Sequence, residues 1–162
     1  MKGVVLGNGP SKHRFDRTGD FVIGCNIPGE GYSVDATVIV DPEIVWILAN
    51  DPDMIDCPVI LSNIAWEKMK QLRIDSKFNI LYTFKSKDWY NAGHYAAMYL
   101  IHELKCDEID IWGCDSIFDD TLKSSTDTLV PKVESINFYK RWRLIWFNLM
   151  EAHPSIDFNI KK

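Results

Sequence analysis

Asn8, Asn26, Asp41, Asn91, His94 and Asp115 each fall where an apolar run ends or a helix opens, the places where open α/β folds gather ligand-binding groups. Amide side chains both donate and accept hydrogen bonds, which suits ribose hydroxyls and base edges. A carboxylate or an imidazole can move a proton in a closed site. The stretch that brings such groups together first is Gly3-Val4-Val5-Leu6-Gly7-Asn8-Gly9-Pro10-Ser11, an apolar run that ends in a tight turn. Gly7 and Gly9 allow close backbone approach, and Pro10 is pre-set for the first turn of a following helix. Backbone amides at such a turn attract anions, so Gly7, Asn8, Gly9, Pro10 and Ser11 are expected to bind a nucleotide.

The turn lacks the Gly-Lys-Ser/Thr of a P-loop and carries Lys12 where a dinucleotide fold has its third glycine. ATP hydrolysis and NAD binding both lose ground on that count. What remains is a βα turn at the start of a parallel sheet. Asn26 follows it by about 20 residues, where a dinucleotide fold holds the ribose. Asp41-Pro42 reads either as a helix cap with proline at the first helical position or as a further site group. Asn91-Ala92-Gly93-His94 opens a helix: Asn91 is a good cap, Gly93 leaves room near the helix amino end, and His94 is placed to touch a phosphate or act as acid or base. Asp115 ends a strongly apolar strand and faces the same edge, where it could bind a hydroxyl or a metal ion or cap a loop.

Those groups need a sheet to hold them. Strands are expected at residues 3–8, 20–26, 35–41, 57–62, 78–84, 108–115 and 155–160, several of them continuous apolar runs of the kind found in sheets covered on both faces. Helices are expected at 42–50, 64–72, 92–104 and 134–151. The alternation predicts an α/β fold: a Rossmann-like, doubly wound, mostly parallel sheet of about seven strands with helices on both faces. All of 1–162 reads as a single nucleotide-binding domain. The polar stretch 116–133 is too long for a routine connection and reads as a mobile lid, with Lys123, Lys132, Tyr139 and Lys140 as candidates for phosphate contacts.

Composition narrows the partners. Hydrophobic residues make up 46% and aromatics 12% of the chain, enough for a proper core. Lysine and arginine number 18 against 23 aspartates and glutamates, a net charge of −5 that argues against broad nucleic-acid binding. No apolar run reaches the length of a membrane span and no cleavable leader pattern opens the chain, so a cytoplasmic protein is expected. Cys25, Cys57, Cys106 and Cys114 are scattered, with neither Cys-x-x-Cys nor zinc-ligand spacing, and read as buried free thiols. An oligomer is compatible with the sequence.

The Gly7-Asn8-Gly9-Pro10-Ser11 turn, the Cys25-Asn26 pair, the Ala92-Gly93 helix opening and the strand Glu108-Ile109-Asp110-Ile111-Trp112-Gly113-Cys114-Asp115 occur in that order. Together they resemble the small bacterial sialyltransferases that decorate lipo-oligosaccharides, and a related superfamily that includes archaeal 6-hydroxymethylpterin diphosphokinases. The resemblance implies a Rossmann-like domain that holds a nucleotide such as CMP, with Asn8 and Asn26 on the nucleotide and Ala92-Gly93 against its base or ribose. In those sialyltransferases, phosphate-binding tyrosines and a histidine base follow the Gly-x-Asp strand. Here 116–133 has no histidine; His13, His94, His102 and His153 all lie outside it.

Three readings follow. The first is glycosyl transfer from a cytidine nucleotide sugar to an acceptor, with a lysine on the leaving phosphate and Asp115, Asp119, Asp120 or His94 as base. A binding or sequestering protein with the same pocket is the second. The third is diphosphate transfer, which would need Mg²⁺ held by carboxylates such as Asp41 and Asp115.

Overall fold

The computed structural model describes residues 1–120 and 136–162. Its seven strands are β1 (Lys2–Leu6), β2 (Phe21–Cys25), β3 (Ala36–Ile39), β4 (Val59–Ser62), β5 (Ile80–Phe84), β6 (Glu108–Trp112) and β7 (Asp157–Ile160). Every pairing is parallel, and the order across the sheet is β5-β4-β3-β2-β1-β6-β7. The order reverses at β1, whose neighbours are β2 and β6. That reversal makes the carboxyl ends of β1 and β6 the topological switch point, the place where open α/β sheets hold ligands.

Among the described residues, the α-helices that cover the sheet are α1 (Pro42–Asn50), α2 (Asn63–Gln71), α3 (Ala92–His102) and α4 (Ile136–Ala152). Alternation along the strands sends neighbours to opposite faces. Val38 and Ile60 join Ala96, Leu100 and Trp146 in one core, while Ile39 and Leu61 join Ile44, Leu48 and Met69 in the other. The central strands β3 and β4 are buried throughout, which is why their sequences are continuous apolar runs. This is the doubly wound α/β architecture, with helices on both faces.

Local chemistry fixes the helix ends. Asp41 and Pro42 sit at the N-cap and first position of α1, although the Asp41 carboxylate makes no capping hydrogen bond. The Ser62 hydroxyl accepts from the Ala65 amide at 3.0 Å and caps α2. Arg73, at φ 56, ends α2 in the left-handed region: the Ile74 amide reaches Met69 and the Arg73 amide reaches Lys70, both at 3.1 Å. No α-helix follows β1. A five-residue 3-10 helix, Pro10–Arg14, takes that place.

β5 is an edge strand with a register shift opposite Val59 and Ile60, and Leu81 and Tyr82 are each 41% exposed. A bulge of this kind blunts an edge against pairing with other chains. Of the expected lid, Ser116–Asp120 is described and begins with a short 3-10 helix, Asp115–Ile117; the remainder, with Lys123 and Lys132, lies outside the described residues. Among the described residues, no helix is long and apolar enough to cross a membrane.

Candidate functional site at the switch point

β1 and β6 do not part cleanly at their carboxyl ends. The Gly7 amide donates to Trp112 O and the Gly9 amide to Gly113 O, each at 2.7 Å, so the two chains run on together past the strands. Gly7 and Gly113 meet backbone to backbone. A Cβ at Gly7 would lie 2.4 Å from Gly113 O, and one at Gly113, where φ is 67, would lie 2.2 Å from Gly7 O. Glycine is required here because another strand occupies the space a side chain would need.

The 3-10 helix then meets a carboxylate from its own chain. The Ser11 amide donates to Asp115 Oδ2 at 2.8 Å, the Ser11 hydroxyl donates to Asp115 Oδ1, and the Gly113 amide donates back to Ser11 Oγ at 2.8 Å. Asp115 is 3% exposed. The anion attracted by this turn is thus Asp115 itself, and the amides of Gly7, Gly9, Ser11 and Lys12 all donate within the protein. As a general base Asp115 would first have to leave two donors, so its position is that of a cap.

Asn8 and Asn26, side by side at the ends of β1 and β2, differ in what holds them. The Asn8 side chain donates to Cys25 O at 2.7 Å and accepts from Lys12 Nζ at 3.2 Å, which ties the two strands together. Asn26 stands in the left-handed region at φ 55, its amide bonded to Val38 O at 2.8 Å and its carbonyl accepting from the Thr37 hydroxyl at 2.8 Å. Its side-chain Oδ1 is buried without a hydrogen-bond partner among the described residues. An acceptor left in that condition normally meets a donor from water or a ligand.

Lys12 is the site residue that sequence reasoning missed. It was legible only as the position lacking a third glycine, yet its side chain turns inward. It is 3% exposed, with Nζ 3.2 Å from both Asn8 Oδ1 and Pro28 O and 4.8 Å from the centre of the Tyr32 ring. Burial lowers its pKa from the ordinary lysine value. The thiols nearby are poor nucleophiles: burial pushes Cys25 up to about 12 and, with Cys25 and Asp115 close by, pushes Cys114 well above its usual value.

The α3 opening departs most from expectation. Asn91 and His94 form a reciprocal cap, the His94 amide donating to Asn91 Oδ1 at 3.1 Å and the Asn91 amide donating to His94 Nδ1 at 2.9 Å. His94 Nε2 lies 3.1 Å from Trp142 O, and since Nδ1 accepts, Nε2 carries the proton and donates. The ring is 0% exposed, and burial pushes its pKa down to about 3. His94 is therefore a neutral strut between α3 and α4, with neither nitrogen open to a substrate. Gly93 likewise makes room for protein: a Cβ there would lie 3.0 Å from Cys114 Sγ and 3.1 Å from the Trp146 ring. Ala92 is also buried.

Arg143, which no sequence pattern marks as a site residue, fastens α4 to the segment after β6, bonding Ser116 O at 3.1 Å and Asp120 Oδ1 at 2.7 Å. Tyr139 packs edge-on against Trp142, and Lys140 is exposed. Among the described residues, no three His, Cys, Asp or Glu side chains gather as a metal site. A separate groove between β5 and α3, lined by Tyr82, Phe84, Tyr95, Met98 and Tyr99, has a volume of about 120 Å³, too small for a nucleotide.

No family model matches the chain, and no curated protein or solved structure matches it.

Proposed function

We propose that this is a nucleotide-binding protein whose ligand lies over the carboxyl ends of β1, β2 and β3, with a CMP-type nucleotide or nucleotide sugar as the leading ligand. The observation that carries the reading is Asn26, whose buried Oδ1 has no donor among the described residues, at the carboxyl edge of the sheet beside the switch point. A base amino group or a ribose hydroxyl supplies the donor it needs. Lys12, next to Asn8 and Pro28, adds a cation whose effect on a phosphate is strengthened by its buried setting. The ligand's contacts fall on this β1–β2 side, because Asp115 already fills the anion place at the 3-10 helix.

Glycosyl transfer from a cytidine nucleotide sugar is the enzymatic form of the same reading, supported by the family resemblance. In it an acceptor hydroxyl bonds to the sugar's anomeric carbon and gives its proton to a base or to water, the bond from that carbon to the phosphate oxygen breaks, and a cation such as Lys12 offsets the charge left on the phosphate. The base for that step does not come from His94, which the fold seals off.

The test is a thermal-shift panel of CMP, UMP, AMP, GMP and their nucleotide sugars, with and without Mg²⁺, on the parent protein and on Asn26→Gly. A ligand at about 100 times its dissociation constant adds about 2.7 kcal/mol, a rise of several degrees. A cytidine-selective rise that Asn26→Gly abolishes supports the proposal. Absence of a rise with every nucleotide overturns it. Acceptor-dependent release of CMP from the nucleotide sugar, with the sugar recovered on the acceptor, would support the transferase form.

A further inference from the structure

α4 has an inner and an outer face. On the inner face Trp146 is fully buried against His94 and the α3 core. On the outer face Lys140, Leu144, Phe147 and Glu151 are all exposed, Leu144 by 58% and Phe147 by 47%. Their spacing of four, three and four residues is the repeat by which helices pair along a seam. Their charges run against the helix: the cation lies toward the amino end and the anion at the carboxyl end, the reverse of what the helix dipole favours.

We propose that this face pairs with the same face of a second copy of the chain, the two α4 helices lying antiparallel about a two-fold axis between residues 145 and 146. That axis sets Leu144 against Phe147 of the second copy, and Lys140 against Glu151 of the second copy, at both ends of the seam. A parallel pair would place like charges together. The antiparallel pair also corrects the dipole mismatch, since each amino end gains a glutamate and each carboxyl end a lysine. One sequence thus satisfies both sides, as an isologous interface requires. A seam of about three turns buries less than the roughly 1,600 Å² of a standard interface, so the dimer is a weak one, with a dissociation constant on the order of 10–100 µM.

Sedimentation velocity across about 5 to 500 µM spans that range and gives the mass directly. The parent chain is expected to move from monomer to dimer over the series. Leu144→Glu, and the milder Leu144→Ser, should raise the dissociation constant about tenfold or more while leaving circular dichroism and the melting temperature unchanged. Lys140→Glu and Glu151→Lys should each weaken the dimer at low salt, and the double reversal should restore it. A monomer at every concentration, a dimer indifferent to both Leu144 variants, or a double reversal that fails to restore association would each overturn the proposal.

Discussion

Ser11 and Asp115 lie 104 positions apart in the chain and hold each other through two hydrogen bonds, the serine giving both its amide and its hydroxyl to one buried carboxylate. The same hydroxyl accepts from the Gly113 amide. One small side chain thus joins β6 to the helix that follows β1, at the point where the sheet reverses.

Ser11→Ala should therefore behave as a core mutation. It strands a carboxylate oxygen and a buried amide, at a cost of about 2–4 kcal/mol. Thermal unfolding should show a fall of roughly 10 °C for a chain of this size. An unchanged midpoint would mean that Asp115 finds other donors.

The two asparagines should separate. Asn8→Ala removes the bond to Cys25 O and a partner of Lys12, and should destabilise by about 1–3 kcal/mol. Asn26→Gly keeps the left-handed backbone and deletes a side chain whose Oδ1 has no partner among the described residues, so its stability should stay within about 1 kcal/mol while nucleotide binding falls. Denaturant midpoints read beside ligand titrations distinguish the two. Equal loss of stability in both would remove Asn26 from the ligand site.

His94 should give the fold an acid sensitivity. Its pKa is pushed down to about 3 in the folded chain from an ordinary 6.5. Between those values the unfolded chain binds a proton that the folded chain refuses, so stability rises with pH across the window and is lost as pH falls through it. At about 1.4 kcal/mol per unit, acidification from pH 6.5 to 5 should cost about 2 kcal/mol through this ring. Urea midpoints of the parent should fall more steeply over that range than those of His94→Gln. Parallel slopes would contradict the buried neutral ring.

Arg73→Gly should stabilise. Arg73 is exposed and holds φ 56 at the end of α2, where glycine carries no Cβ penalty. A gain of about 0.5–1 kcal/mol is expected, measured by urea unfolding at constant slope. A loss would show that the Arg73 side chain makes a contact of greater worth than the strain.

The sheet and its helices were legible because they follow from local punctuation. Asp41-Pro42 set the start of α1 where it is found, and the apolar runs at residues 36–39 and 59–62 are strands buried on both faces. The apolar pattern overruns the strand end: it continues to Asp115, whereas β6 stops at Trp112. Gly113 takes a left-handed φ and turns the chain away, a choice invisible in hydropathy.

The site was half legible for a different reason. Position in a strand tells which edge a polar residue occupies, and Asn8, Asn26 and Asp115 do stand at that edge. It does not tell whether the partner is a ligand or a distant part of the same chain. Asp115 met Ser11 and His94 met Trp142, partners 104 and 48 residues away. Lys12 escaped notice because a lysine is ordinarily read as solvated, and only the tertiary fold folds its stem inward beneath Tyr32.

The crossing of Gly7 over Gly113 also ties the turn after β1 to a distant part of the chain. β1 lies in the interior of the sheet between β2, close behind it in sequence, and β6, about a hundred residues later. Until β6 docks, the amides of Gly7, Gly9 and Ser11 lack the acceptors they have in the native chain, so the turn after β1 is completed only by a pairing of long sequence separation. Hydrogen exchange at those three amides should accordingly report detachment of the β6–β7 unit rather than fraying of a loop.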